Sequence, residues 1–416
     1  MPQTHDPQTH GPRTHGPQTQ DPQTQDPQAQ DPQAQDPQAQ DPQTQDPLTN
    51  EARTRERRTA AGKPSRDAAT ELRDATAARL RGAHRAGIRR AAVVACVLVL
   101  MLLGLLVASV LLGGVKRIPA GDILPAAFGL RTGLADYVIF RIRMPRALAA
   151  LLAGALFGLS GALYQRLIRN PLATPDIVGI SAGAGAGATT VLLFAPAVPF
   201  GTSLAGLGGA FALVAAVLAL SRRGGSVDTY RMVLVGIGLS AVCTAYVNYL
   251  FTVAGQHSIA QVMRWLVGSV NDATWEGVST LAGALAVCGL CTALLDRALG
   301  SMALGDQLAL GLGTRVGAAR VATLLVGAAA AALATSVTGP IGFVSLISGP
   351  IAVRLVGADR SVALAVPIGA VIVLGADVLA QHGPLISPVP TGVLTALLGA
   401  PYFVWLILRR RQGATT

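Results

Sequence analysis

An uncharged stretch in the middle of the chain decides the fold class. Residues 177–221 read IVGISAGAGAGATTVLLFAPAVPFGTSLAGLGGAFALVAAVLALS, without one Asp, Glu, Lys or Arg. Crossing about 30 Å of hydrocarbon takes about 20 mostly apolar residues in a helix. The stretch is long enough for two spans, and the segment from Pro196 to Gly201 is expected to separate them. It therefore predicts two consecutive membrane helices.

Small residues recur one helical turn apart in this part of the chain. Gly179, Gly183 and Gly187 follow one another at intervals of four residues, and Gly154 and Gly158 show the same spacing upstream. Glycine allows two helix backbones to approach closely in lipid. We expect these faces to pack against neighbouring helices rather than to contact a substrate.

Apolar runs of span length continue on both sides of this stretch. Ten helices are predicted, near residues 91–113, 147–165, 177–195, 203–221, 232–253, 276–296, 318–337, 341–357, 361–380 and 391–408. The predicted fold class is therefore all-α, a polytopic membrane protein with about ten transmembrane helices.

The composition excludes a soluble protein. Of 416 residues 51% are hydrophobic and 13% are charged, and the mean hydropathy is +0.48. A net charge of +11 would suggest nucleic acid in a soluble chain, but here the excess basic residues lie in short gaps between apolar runs, so no nucleic-acid partner is expected. Cys96, Cys243, Cys288 and Cys291 lie inside apolar runs without nearby histidine. Neither a disulfide nor a metal site is indicated.

Composition divides the chain into three regions. Residues 1–50 carry an Asp-Pro-Gln-(Thr/Ala)-Gln repeat, and because proline at every fifth position precludes a helix, a disordered tail is predicted. Residues 51–90 form an Arg/Ala-rich cytoplasmic segment with helical propensity. Residues 91–411 form the transmembrane domain.

The basic residues at the span ends predict the orientation. With a cytoplasmic N-terminus, fifteen basic residues fall at the inner ends and seven at the outer ends. An even number of spans then places both termini in the cytoplasm. Six of the seven outer charges crowd the first external segment, where topology does not require them.

The spans lack the groups that would energise transport. Asp377 is the one acidic residue near the interior of a predicted span, whereas a proton- or sodium-driven carrier is expected to have more. No phosphate-binding loop is present, because the single Gly-Lys pair, Gly62-Lys63, is followed by Pro64 in the polar tail. The energy is expected to come from another protein, and no enzymatic activity is predicted for this chain.

Two predicted cytoplasmic loops differ from simple turns. Residues 169–176 contain two prolines, which enforce a rigid connection. Residues 297–320 are too long for a tight turn, and Leu304, Leu308 and Leu312 recur every four positions, which predicts a short amphipathic helix. Periodicity alone does not decide between a helix lying on the membrane and one docking in a groove of a cytoplasmic partner.

Four blocks of sequence resemble the FecCD-type permease subunits of bacterial ABC importers for iron-siderophore complexes, haem and vitamin B12. They are Arg143-Met-Pro-Arg146 continuing to Gly183-Ala184, Ala303-Leu-Gly-Asp306 with Leu312-Gly313, Gly339-Pro-Ile-Gly-Phe-Val344 continuing to Gly375-Ala-Asp377, and Pro390 to Phe403. The blocks stand in the family's order and spacing over most of residues 90–411.

The resemblance implies an assembly. It implies a second permease chain, in a homodimer or a heterodimer, two cytoplasmic ATP-binding subunits and an extracytoplasmic substrate-binding protein. It places the chain in the cytoplasmic (inner) membrane as a multi-pass protein in contact with membrane lipid. No cofactor and no resident metal are expected, because iron would arrive already wrapped by its chelator.

The resemblance also implies roles for individual residues. Arg143 and Arg146 match outer arginines that dock the binding protein. Leu172 matches an apolar residue that narrows the translocation pathway at its inner end, and Thr229 aligns with a second gate residue there. The residues that match the ATPase-coupling loop are Leu304, Gly305, Asp306 and Leu308.

The sequence departs from the family pattern at three places. Gly349-Pro350 replaces a common Pro-His or Pro-Gln pair, Gln381 stands where an outer arginine is often found, and Pro388 replaces a common glutamate. These changes put one of the usual docking contacts in doubt. They also favour a siderophore cargo over vitamin B12.

The function predicted is the permease subunit of an ABC importer that carries ferric siderophore across the cytoplasmic membrane into the cell. A vitamin B12 or haem importer permease is the alternative within the family. An ion-coupled secondary carrier is the alternative from another class. A membrane-embedded enzyme is disfavoured because His84, His257 and His382 lie in three separate regions.

Overall fold

The computed structural model describes residues 66–112, 134–198, 200–223, 226–358, 360–382 and 389–412. The predicted disordered tail, residues 1–50, lies outside the described residues. The chain divides into two compact units, residues 1–75 and 76–416. Of the first unit the structure describes residues 66–75, which are helical. The predicted 51–90 segment is therefore helical from Arg66 onward.

Helices make up nearly all of the described residues. Their bounds are α1 Arg66–Leu112, α2 Leu134–Tyr137, α3 Met144–Ile168, α4 Ile180–Phe194, α5 Gly201–Leu220, α6 Thr229–Val253, α7 Gln256–Val267, α8 Trp275–Ala303, α9 Asp306–Gly311, α10 Val316–Thr338, α11 Val344–Val356, α12 Ser361–His382 and α13 Thr391–Gln412. A π-helical segment, Val138–Arg143, leads into α3, and a 3-10 turn, Pro175–Val178, precedes α4. Two-residue strands β1 Arg222–Arg223 and β2 Ser226–Val227 pair antiparallel before α6.

The count of about ten membrane helices is confirmed. By length and composition, 7 of the described helices can cross a membrane, and the shorter apolar helices Ile180–Phe194, Val344–Val356 and Thr391–Leu406 fall on three further predicted spans. Every one of the ten predicted ranges coincides with one of these helices. The predicted 341–357 begins as a helix at Val344, because Phe343 before it has a left-handed backbone (φ 66°).

Helix α3 forms the centre of the bundle. In its most apolar window 83% of the residues are buried, because α8, α10, α11 and α12 surround it. A Cβ added to Gly154 would lie 2.4 Å from the Gly369 carbonyl oxygen of α12, and one on Gly158 would lie 2.2 Å from the Ala365 carbonyl oxygen. The predicted close approach at these glycines is confirmed, and side chains larger than hydrogen would force α3 and α12 apart.

The opening stretch folds as two packed helices. Helix α4 ends at Phe194, Phe200 is left-handed (φ 57°), and α5 begins at Gly201, within the predicted break. A Cβ on Gly183 would lie 2.5 Å from the Gly209 carbonyl oxygen, so this glycine also allows backbone contact. Glycine spacing in a charge-free run thus determines how α4 and α5 meet.

Candidate functional site

A buried carboxylate lies where α3, α12 and α13 meet. Asp377 is fully buried and binds Arg146 in a bidentate ion pair, with Arg146 Nη2 2.8 Å from Oδ1 and Nε 3.0 Å from Oδ2. Gln381 Nε2 donates to Oδ2 at 2.7 Å, and Thr391 Oγ1 donates to Oδ1 at 3.0 Å. We call this end of the bundle the Asp377 end. Both carboxylate oxygens are fully engaged, as a buried charge requires.

Local sequence places each member of this network. Arg146 lies in the first turn of α3, just after Pro145, which is tolerated there because first-turn N–H groups have no intrahelical partner. Asp377 and Gln381 are separated by one turn of α12 and share a face. Thr391 is the first residue of α13. Gln381, a departure from the family pattern, thus hydrogen-bonds the carboxylate that Arg146 neutralises.

Arg143 caps another helix at the same end. Its Nη1 donates to the carbonyl oxygens of Val110 at 2.7 Å and Leu111 at 3.3 Å, in the last turn of α1. Carbonyls in the last turn of a helix lack intrahelical donors, and a cation there is also favoured by the helix dipole. Arg143 is 4% exposed. The two predicted docking arginines therefore make intramolecular contacts, and the docking role remains a prediction.

A second carboxylate binds two arginines at the opposite end of α3. Arg169 Nη2 lies 3.0 Å from Asp306 Oδ1, and Arg320 Nη2 lies 2.8 Å from Asp306 Oδ2. Arg169 also donates to the Met302 carbonyl oxygen in the last turn of α8. We call this the Asp306 end. Unlike Asp377, Asp306 is 43% exposed, so water screens its ion pairs.

The electrostatics of Asp306 favour its ionised form. The hydrogen bond from Arg320, reinforced by the positive charges of Arg320 and Arg169, holds the pKa of Asp306 below its ordinary value. Because one carboxylate is shared by two guanidinium groups, the cluster keeps an excess of positive charge. It joins the end of α3, the start of α9 and the first turns of α10.

The predicted coupling loop folds as a short helix preceded by a glycine. Gly305 has φ 112° and ψ 150°, a conformation that side chains disfavour, and α9 begins at the next residue. Ala309 is completely buried beside Met302 and Val316. Ser301 Oγ, before α9, and Thr314 Oγ1, after it, lie 2.8 Å apart and hydrogen-bond the two flanks of the segment to each other. The short helix predicted from the leucine spacing is present as Asp306–Gly311, and of the three leucines only Leu308 lies within it.

One side of this segment is apolar and exposed. The exposed fractions are 63% for Leu304, 61% for Leu308 and 66% for Leu312, and Leu310 is 56% exposed. We call these four residues the leucine face. Helix α9 carries two of its members, Leu308 and Leu310, and is anchored by the buried Ala309 and by the ion pairs of Asp306. Four exposed leucines within nine residues are typical of a protein contact.

The two predicted gate residues occupy separate elements. Leu172 is half-buried in a turn in which its backbone N–H donates to Asn170 Oδ1 at 2.9 Å. Thr229 is the first residue of α6, where Asp228 Oδ1 caps the helix by accepting from the Tyr230 N–H at 2.8 Å. The hydrogen bonds of the described residues do not link Leu172 to Thr229, and both gate roles remain predictions.

A polar stripe on α6 was not anticipated. Ser240, Thr244, Asn248 and Thr252 recur every four residues, and Thr244, Asn248 and Thr252 are exposed. The hydroxyl groups donate to backbone carbonyl oxygens of α6 itself, as Thr244 does to Ser240 at 2.9 Å. The exposed Asn248 amide would be costly in lipid. The interval of four is the sequence signal for this stripe, although it lies within an apolar run of span length.

Within the described ranges no group of three or more His, Cys, Asp or Glu side chains could hold a metal ion. The residues that the structure brings together are two arginine–carboxylate clusters, an exposed leucine face and a polar helix face. This arrangement can bind partners and form a passage. It offers no set of groups for bond-making chemistry.

Comparison with known proteins identifies the family. An Fe(3+)-citrate import system permease protein of Bacillus subtilis is 38% identical over 65% of this chain and 82% of its own length. A vitamin B12 import system permease protein of Klebsiella pneumoniae is 35% identical over 76% of this chain and 93% of its own. A solved metal-chelate type ABC transporter in an inward-facing conformation is similar with a TM-score of 0.66 at 27% identity, covering 75% of this chain and 97% of that one.

The sequence profile of one family extends over nearly all of the membrane domain. It matches residues 96–409 of the predicted domain, residues 91–411. The relatives are permease proteins of import systems, so this chain is a transport protein of the membrane and not an enzyme. It belongs to the FecCD transport family.

Proposed function

We propose that this chain is the permease subunit of an ATP-binding-cassette importer that moves ferric siderophore across the cytoplasmic membrane into the cell. The leucine face is the observation that carries the proposal. Four exposed leucines on an anchored segment outside the spans suit the groove of a cytoplasmic ATP-binding subunit. The spans themselves contain no described set of acidic groups that would couple transport to an ion gradient.

The Asp306 cluster would transmit force from that subunit. Asp306 stands at the start of α9 and is bonded to Arg169 after α3 and to Arg320 on α10. A displacement of the leucine face would thus be passed to the central helix of the bundle and to one of its neighbours. Gly305 contributes by allowing the sharp change of direction before α9.

The pathway is proposed to lie between two permease chains, in a homodimer or a heterodimer. The polar stripe of α6 supports this arrangement, because only 17% of the α6 window is buried in a single chain. A second chain would remove this face from lipid and leave its hydroxyl and amide groups to line a passage. Leu172 and Thr229 are proposed to narrow the passage toward its inner end.

Capture of the loaded binding protein is assigned to the Asp377 end. Arg143 and Arg146 are the proposed docking residues, and both are already bonded within the chain. An acidic side chain of the binding protein would share Arg146, which is 16% exposed, with Asp377. In the proposed orientation this end faces outward, and both termini lie in the cytoplasm.

The cargo is the finer part of the proposal. The Fe(3+)-citrate relative supports an iron chelate, and a vitamin B12 or haem cargo is the alternative within the family. An ion-coupled carrier is less well supported, because Asp377 already holds Arg146, Gln381 and Thr391. Uptake of labelled ferric siderophores, haem and vitamin B12 by cells with and without this chain would distinguish the cargoes.

The leucine face supplies the direct test. Replacing Leu304 and Leu308 together by Asp should reduce copurification of the ATP-binding subunit at least tenfold, because two charges would have to be buried in an apolar contact. The subunit used is the one that copurifies with the unaltered chain from its own cells. Replacing both leucines by Met, which keeps apolar volume, is the matched control. Undiminished copurification with the Asp pair, in a normally inserted protein, would contradict the proposal.

A further inference from the structure

An apolar groove separates α1 from the rest of the bundle. It is a cavity of about 720 Å³, with Ile88, Ala92 and Ala95 of α1 on one side and Gly289 of α8 and Ala363 of α12 on the other. Most of its lining residues are alanine or aliphatic, and a Cβ added to Gly289 would meet no atom within 4 Å. The groove is therefore open space between helices that span the membrane.

Two hydrogen bonds involving arginines tether α1 to the rest of the bundle, one beside this groove and one in the last turn of α1. Arg90 Nη2 donates to the Arg354 carbonyl oxygen at 3.3 Å, and Arg143 Nη1 donates to the Val110 carbonyl oxygen at 2.7 Å. Between these tethers only 6% of the most apolar window of α1 is buried, compared with 83% for α3. Helix α1 thus contacts the bundle along one narrow side, which includes the buried Leu98, and leaves most of its surface uncovered.

Positive charge surrounds the groove at the Asp306 end. Arg85 precedes Ile88, Ala92 and Ala95 on the same stripe of α1, at the helical intervals of three and four. Arg360, at the start of α12, lines the groove and places its Nη1 3.0 Å from where a Cβ of Gly87 would be.

A carboxylate on the same rim is already paired. Asp296, which also lines the groove, lies 3.4 Å from Arg166 Nη1 in an ion pair. Arg85 and Arg360 are therefore left as the charges that an incoming anion would meet at the mouth.

We propose that this groove binds an anionic phospholipid, with an acyl chain between α1, α8 and α12 and the phosphate between Arg85 and Arg360. Away from Thr292, Asp296 and Arg360 the lining is apolar, so water would find few polar partners in most of the groove. A basic mouth above an apolar groove matches both parts of an anionic lipid, whereas free phosphate would leave the groove empty. The bound lipid would add packing along residues 88–95 of α1. The inference requires only that the chain spans the membrane.

Photo-crosslinking tests the site in the full-length chain. The chain would be placed in phosphatidylcholine nanodiscs that contain 2% of a probe lipid with a diazirine in one acyl chain. The probe is phosphatidylglycerol in one sample and phosphatidylcholine in the other. Labelled peptides would be mapped by mass spectrometry. Labelling of residues 88–95 and 289–293 should be at least threefold higher with phosphatidylglycerol. Inorganic phosphate at 50 mM should reduce this labelling by less than half.

Two pairs of variants separate the headgroup from the acyl chain. Arg85→Gln with Arg360→Gln should equalise labelling by the two lipids, whereas Arg297→Gln with Arg315→Gln, at the same end but outside the groove, should keep the preference. Gly289→Leu should abolish groove labelling by both lipids. Gly283→Leu is its control, because that position on α8 is also free of atoms within 4 Å and does not line the groove.

Three results would overturn the proposal. Equal labelling by the two lipids in the unaltered chain would mean that the groove holds any membrane lipid. Absence of labelling by both would mean that α1 closes the groove itself. A preference for phosphatidylglycerol that persists after both arginines are replaced would show that the charged mouth does not bind the phosphate.

Discussion

Two aspartates hold arginines at opposite ends of the bundle, and they differ in their contact with water. Asp377 is completely buried and accepts hydrogen bonds from Arg146, Gln381 and Thr391, whereas Asp306 is 43% exposed and is shared by Arg169 and Arg320. Breaking a buried pair leaves an uncompensated charge, but breaking an exposed pair lets water replace the partner. The comparison teaches that the same pairing of aspartate with arginine is costly to break at the buried end, and that its loss at the exposed end is largely offset by water.

Replacing Asp377 by Ala should give the largest effect of the series. The loss would leave the Arg146 guanidinium without its carboxylate among packed helices, at a cost of about 3–5 kcal/mol in the free energy of unfolding. Equilibrium unfolding in mixed detergent micelles measures this change. The double replacement Arg146→Met with Asp377→Leu removes both charges and should recover most of the stability. If Asp377→Ala unfolds with the same free energy as the unaltered chain, the Asp377 network does not stabilise the fold.

Replacing Asp306 by Asn should change stability little and coupling strongly. Each exposed ion pair contributes about 0.2–1 kcal/mol, so unfolding in the same micelles should shift only slightly. In the proposed function, however, force passes through the link that Asp306 makes between α9, Arg169 at the end of α3 and Arg320 of α10. Substrate-stimulated ATP hydrolysis in the reconstituted complex should therefore fall several-fold, and Asp306→Glu should retain part of it. Unchanged stimulation in the Asn variant would remove Asp306 from the coupling path.

The smallest effect concerns pH. Because the Arg320 hydrogen bond lowers the pKa of Asp306, its ion pairs stabilise the folded chain fully above the unfolded-state pKa of about 3.9, and this contribution is lost as pH falls through the lower folded-state value. The stability difference between the unaltered chain and Asp306→Asn should therefore stay constant from pH 5 to 8. Unfolding midpoints across that range measure it. A difference that declines on going from pH 8 to pH 5 would show that Asp306 takes up protons in this range.

Sequence reasoning located the helices because the length of an apolar run is a local property. The break between α4 and α5 and the glycine contacts of Gly154 and Gly158 were predictable for the same reason. The pairing of Arg146 with Asp377 was not, since these residues are 231 positions apart. An aspartate in an apolar run nevertheless signals a buried cation partner, although not which one.

The exposure of arginines was harder to predict than their position. Crowding at one end and the family pattern indicated surface charges at Arg143 and Arg146, but the structure directs Arg143 to the free carbonyl groups of α1. No local feature of the sequence predicts which helix end an arginine will cap. The leucine face was found from its interval of four, and the same interval of polar residues in α6 would have revealed the stripe at Asn248.

The central claim is that ATP hydrolysis by a separate subunit, acting through the leucine face, drives import. The most direct measurement is uptake of labelled ferric siderophore into proteoliposomes that contain this chain, its copurifying ATP-binding subunit and the binding protein. We expect uptake that requires ATP, is insensitive to ionophores and is lost when Leu304 and Leu308 are replaced by Asp. Uptake that proceeds without ATP and collapses when a proton or sodium gradient is dissipated would contradict the account.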